Sequence, residues 1–122
     1  DYNGVNQLFK PITQNLFISD LRFRLTSKEE AEKFTNATKL KFRRWIREDF
    51  DCDNFSFALM GYWSESLESF AFGIAWSRTH AFNIMIDKDK KIWIVEPQTN
   101  RYYTIQEAKK YSIYWPIRLI LL

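Results

Sequence analysis

One cysteine, one histidine, three glycines and three prolines among 122 residues limit what this chain can do. The single thiol, Cys52, excludes an internal disulfide framework and a multi-cysteine zinc site. It leaves the cellular compartment open, because reducing and oxidising surroundings both tolerate one thiol. No apolar run approaches the length of a membrane span and no apolar leader opens the sequence, so no membrane is expected as a partner. The first residue is Asp rather than Met, which leads us to expect a processed or excised domain. The net charge of +3 is mild, and no broad stripe of one sign runs through the chain, which argues against a nucleic-acid partner. Low-complexity tracts and internal repeats are also lacking.

What is abundant is aromatic. Eleven Phe, six Tyr and five Trp point to a packed body and away from disorder. The length fits one domain, residues 1–122, with 1–22 as an N-terminal extension to which the sequence assigns no role. Leu16-Phe17-Ile18 and Leu21, Phe23, Leu25 read as short extended pieces. Ser27-Lys-Glu-Glu30 is a capping box that opens a helix through about Asn36. The basic run Lys39 to Arg47 predicts a second helix, with Leu40, Phe42, Trp45 and Ile46 facing inward and the cations solvated. A third helix, about Cys52 to Tyr62, has Asp51 as N-cap, Gly61 near its stop, and Cys52, Phe55, Leu59 and Tyr62 on one face. After a polar link over 64–69, helical spacing gives way to strands at Phe70–Trp76, Ala81–Ile86 and Ile92–Glu96. Helical turns over Thr104–Lys110 and a strand over Trp115–Leu122 close the chain. Helices first and strands after define an α+β domain, an antiparallel sheet packed on a central helix.

Three residues in this pattern carry chemistry. Cys52 opens a helix, where the positive end of the dipole favours a thiolate and makes the sulfur nucleophilic. His80 heads a strand, and Glu96 ends the next. A catalytic thiol needs a base and a third group to orient that base. The hairpin between the two strands tests whether His80 and Glu96 can meet. A three-residue loop, Lys88-Asp89-Lys90, pairs Ile86 with Ile92 and Ile84 with Ile94. The four isoleucines then share a face that continues into His80, Glu96 and Gln98. A loop of two or four residues would turn Glu96 to the opposite face. The isoleucine pattern selects the odd loop. Gln98, Trp76 and Asn83 are candidates for the wall of the resulting cleft.

The segments Phe50-Asp-Cys-Asp-Asn-Phe-Ser-Phe-Ala-Leu59, Ala71-Phe-Gly-Ile-Ala75, His80-Ala-Phe-Asn83 and Ile92-Trp-Ile-Val-Glu-Pro-Gln-Thr99 carry a resemblance. They are similar to the C-terminal domain of the Marasmius oreades agglutinin family of fungal chimeric lectins, and the likeness covers about Phe23 to Glu107. The resemblance implies a papain-like cysteine peptidase fold and a calcium-dependent cysteine protease, a hydrolase with a Cys-His-Glu catalytic triad. Position by position, Cys52 falls on the nucleophile, His80 on the base and Glu96 on the orienting carboxylate. The sugar-binding half of those lectins is absent, so no sugar binding carries over. Ile46 stands six residues before Cys52, where papain-type enzymes place a glutamine, so the oxyanion would lean on the Cys52 backbone N–H.

Four carboxylates, Glu48, Asp49, Asp51 and Asp53, crowd the thiol. Their negative potential opposes the helix dipole, and a divalent cation, Ca2+ by the resemblance, held by some of them would remove that opposition. The expected partner is a protein or peptide substrate. Two alternatives stand beside proteolysis: another acyl transfer on the same three residues, and a non-catalytic interaction module that assembles, for example, as a homodimer.

Overall fold

The computed structural model describes residues 1–66 and 69–122; Leu67 and Glu68, inside the expected polar link, lie outside the described residues. In chain order the elements are α1 (Tyr2–Phe9), β1 (Leu16–Phe17), α2 (Lys28–Ala37), a 3₁₀ turn (Leu40–Phe42), α3 (Cys52–Glu65), β2 (Phe72–Trp76), β3 (Ala81–Ile86), β4 (Ile92–Glu96), β5 (Arg101–Thr104), α4 (Ile105–Ala108) and β6 (Leu119–Leu121). The strands form one sheet in the order β1-β6-β2-β3-β4-β5. The sheet is mixed rather than antiparallel throughout, because β1 runs parallel to β6 at its edge. The fold is α+β.

Side chains alternate across the strands and divide the core in two. Ala75, Phe82, Ile84, Ile86 and Ile94 pack with Val5 and Phe9 of α1, Ala108 of α4, and Tyr114 and Ile117 of the final loop. Phe72, Met85 and Val95 point the other way and pack on Phe55, Leu59 and Trp63 of α3 and Ala31 of α2. The four isoleucines fall as expected: Ile84 pairs with Ile94, Ile86 with Ile92, and the Asp87 N–H closes the turn on the Lys91 carbonyl at 2.9 Å. Buried Asp87 organises that turn. Its carboxylate accepts from the N–H groups of Asp89 (2.8 Å) and Lys91 (2.9 Å) and from the Trp93 indole (2.8 Å).

Helix α2 begins where Ser27 Oγ accepts from the Glu30 N–H at 3.1 Å, as the capping box predicts. Helix α3 begins at Asp51, whose N–H donates to Asn54 Oδ1 at 3.2 Å. It does not stop at Gly61 but runs on to Glu65, since Gly61 keeps a helical backbone and nothing there turns the chain left-handed. Its buried stripe is Phe55, Leu59 and Trp63, four residues apart, so Tyr62 points outward.

The expected helix over Lys39–Arg47 does not form. Leu40 and Phe42 lie about 200° apart on a helix, so the run has no single apolar stripe. Lys39 instead adopts a left-handed backbone (φ 56°), one 3₁₀ turn follows, and Ile46 bridges back to Phe50. Only Leu40 is buried; Phe42, Trp45 and Ile46 are exposed.

Candidate active site

Cys52 is the first residue of α3 and is part-buried at its positive end. His80 sits just before β3, at the close of a turn in which the Ser77 N–H donates to the His80 carbonyl at 3.0 Å and the His80 N–H donates to Ser77 Oγ at 3.2 Å. Cys52 and His80 line one open cleft of about 300 Å³, together with Asp51, Asp53, Trp76, Arg78, Thr79 and Ala81. Cys52 and His80 line the same cleft, but no hydrogen bond joins their side chains.

The imidazole is held from behind. His80 Nε2 lies 2.6 Å from Glu96 Oε1, so the odd-loop register does bring the two side chains onto one face. With Nε2 engaged, Nδ1 is the nitrogen left for a proton from the thiol. Glu96 is buried and fully employed. Its Oε1 also accepts from the Tyr114 hydroxyl at 2.9 Å, and its Oε2 accepts from the Gln98 backbone N–H at 3.2 Å. Burial, the negative charge of Glu96 and the hydrogen bond to it push the Tyr114 phenol far above its ordinary range, so it remains a donor at any working pH. The Tyr114 ring also meets the imidazole edge-on, centroids 5.7 Å apart. Sequence reasoning missed Tyr114. It lies 18 positions from Glu96 in an irregular segment with no periodic signal.

Of the cleft-wall candidates, Trp76 lines the cleft, its ring centroid 6.0 Å from that of Phe57. Asn83 does not. It is fully buried on the α3 side of the sheet, where its amide donates to the carbonyls of Ser56 and Gly73, both at 3.0 Å. Its odd position in β3 sets it opposite to His80 and Phe82. Gln98 does not line the cleft either; its contribution is its backbone N–H on Glu96.

Of the four acidic residues near the thiol, only Asp51 and Asp53 converge, with their oxygens and the Cys52 sulfur all within 4.8 Å of one another. Glu48 and Asp49 stand outside this group, because the Ile46–Phe50 bridge turns them away on an exposed bend. The Asp51 and Asp53 carboxyls share a hydrogen bond that holds Asp51 below the usual carboxylate range and pushes Asp53 above it, with burial and the Asp51 charge adding to the Asp53 shift. Two carboxyls brought together in this way are a donor pair a hard cation could use.

Fold and site together define an α+β domain with a cysteine in the first turn of a helix and a histidine–carboxylate pair at one cleft. Among the solved structures that share this fold are the following two. One is a crystal structure of Polyporus squamosus lectin bound to the human-type influenza-binding epitope Neu5Aca2-6Galb1-4GlcNAc, 19% identical, with a TM-score of 0.75 over 98% of this chain. The other is a PSL1a–E64 complex, 18% identical, with a TM-score of 0.77 over 97% of this chain. The chain spans 48% of the length of each. No protein-family model and no curated protein matches the sequence. The protein thus has the fold of part of a fungal lectin.

Proposed function

We propose that this chain is a papain-like domain that hydrolyses peptide bonds through Cys52, His80 and Glu96. The observation that carries the reading is the 2.6 Å His80–Glu96 contact behind a cleft that Cys52 also lines. The E64 complex of a protein of the same fold supports it. His80 Nδ1 takes the thiol proton, and the thiolate attacks the peptide carbonyl carbon. The Cys52 N–H, in the first turn of α3, has no intrahelical acceptor and stabilises the oxyanion. The tetrahedral adduct expels the amine, which takes its proton from the imidazolium. Water, deprotonated by His80, then hydrolyses the thioester and frees the thiol. Glu96, fixed by Tyr114 and the Gln98 N–H, orients the imidazole and offsets its charge.

Asp51 and Asp53 would hold a divalent cation such as Ca2+, with water completing the shell. It would supply positive charge beside the thiol. Hydrolysis of a denatured protein substrate, abolished by Cys52→Ala and reduced by chelator, is the expected result. Undiminished hydrolysis by Cys52→Ala would overturn the reading, and undiminished activity in excess chelator would remove the cation.

One observation favours a second reading. The thiol and the imidazole share a cleft without a hydrogen bond, which suits a non-catalytic interaction module that keeps the fold. On that reading Cys52 reacts slowly with electrophiles whether or not His80 is present.

A further inference from the structure

Residues 39–47 carry five cations, Lys39, Lys41, Arg43, Arg44 and Arg47, and no acid. None of them pairs with a carboxylate among the described residues. Lys41 and Arg43 instead lie over the rings of Phe42 and Phe50, at 5.2 and 3.9 Å from the centroids. Between these cations, Phe42 is 77% exposed, Trp45 49% and Ile46 44%. Exposed aromatics interleaved with arginine have the composition of an interface centre, not of a solvated surface. The segment is also pinned in place. Two non-glycine residues with left-handed backbone, Lys39 (φ 56°) and Glu48 (φ 66°), bracket it, buried Leu40 anchors one end, and the Ile46–Phe50 bridge closes the other. Such conformations persist only where surrounding structure enforces them.

The pinned end leads straight into the cleft. The Glu48 N–H donates to Asp51 Oδ2 at 3.1 Å, and Asp51 lines the cleft beside Cys52. Arg47 is five residues from the sulfur-bearing position, at most about 17 Å along an extended chain. A polypeptide lying across the cleft therefore reaches these cations about five residues from its reacting bond.

We propose that residues 41–47 form a docking surface for an acidic, aromatic-containing stretch of the polypeptide substrate. The inference rests on the peptidase reading for the identity of the occupant, but the binding needs no catalysis. Opposite charge supplies the approach and the salt dependence, while Phe42, Trp45 and Ile46 supply apolar contact.

The test uses Cys52→Ala protein and a labelled peptide of alternating Glu and Phe, followed by fluorescence anisotropy at rising salt. The expected result is salt-sensitive binding, weakened about tenfold or more by Arg43→Glu/Arg44→Glu/Arg47→Glu and again by Phe42→Ser/Trp45→Ser. All five of these residues are exposed, so both variants keep the core. A Lys–Phe peptide should not bind. Absence of binding overturns the proposal. So does equal binding to vesicles of phosphatidylserine or to a single-stranded oligonucleotide, which would mark an undiscriminating polyanion surface. Thiol reactivity, measured in the same charge variants with Cys52 restored, keeps the two ideas apart. Absence of peptide binding before any charge substitution, with a reactive thiol, removes the docking surface alone, and an unreactive thiol with intact binding removes the peptidase alone.

Discussion

At the scale of single residues, the chemistry is concentrated in one carboxylate. Glu96 takes three hydrogen bonds at 2.6, 2.9 and 3.2 Å from His80, Tyr114 and the Gln98 backbone. Tyr114→Phe keeps the ring packing and deletes one of these donors. It should slow alkylation of Cys52 by about threefold to tenfold while the far-UV circular dichroism is unchanged, since the bond removed is of the order of 1 kcal/mol. An unchanged rate would show that the phenol does not position the imidazole through Glu96. The His80–Glu96 pairing was legible because four isoleucines, each needing a buried face, fix the register of the hairpin. Asn83 was misread for the same reason in reverse: strand parity sends it to the face that packs on α3, where it serves the fold. Asp87, equally unforeseen, matters to stability. Asp87→Ala leaves two backbone N–H groups and an indole without their acceptor, at a cost of about 2 kcal/mol or more. Thermal unfolding should show a fall in Tm of roughly 8 °C.

At the scale of elements, two glycines make opposite predictions. A Cβ on Gly73 would lie 2.0 Å from the Leu121 carbonyl oxygen and 2.9 Å from Leu122 Cα, both backbone atoms that cannot swing aside. Gly73→Ala should therefore force β2 and β6 apart and cost about 3 kcal/mol or more in a urea titration. A Cβ on Gly61 meets nothing within 4 Å, in the middle of a helix. Gly61→Ala should stabilise the protein by about 0.5 to 1 kcal/mol. Strands β3 and β4 and helix α2 could be read from the sequence because alternation and a capping box are local signals. The run 39–47 misled because its hydrophobic content is high while its spacing fits no helix, and only the fold shows that its aromatics stay in solvent. Helix α1 gave no local warning either. Its order comes from burying Val5 and Phe9 against the far side of the sheet.

At the scale of the whole molecule, the chain matches about half the length of a fungal lectin in fold, at an identity too low to carry function across. What distinguishes an enzyme from a retained scaffold is whether α3 and the β3–β4 hairpin act as one unit across the cleft. Helix α3 packs on Met85 and Val95 of the hairpin, and at the end of this contact Cys52 of the helix and His80 of the strand line one cleft. The most direct test is the rate at which E64 or iodoacetamide alkylates Cys52 near pH 7, in the unaltered protein and in His80→Ala. A cooperating pair predicts alkylation well above that of a free cysteine peptide, falling at least about tenfold without the imidazole. Slow alkylation that is the same in both proteins would contradict the catalytic account and leave a docking module with the fold of half a lectin.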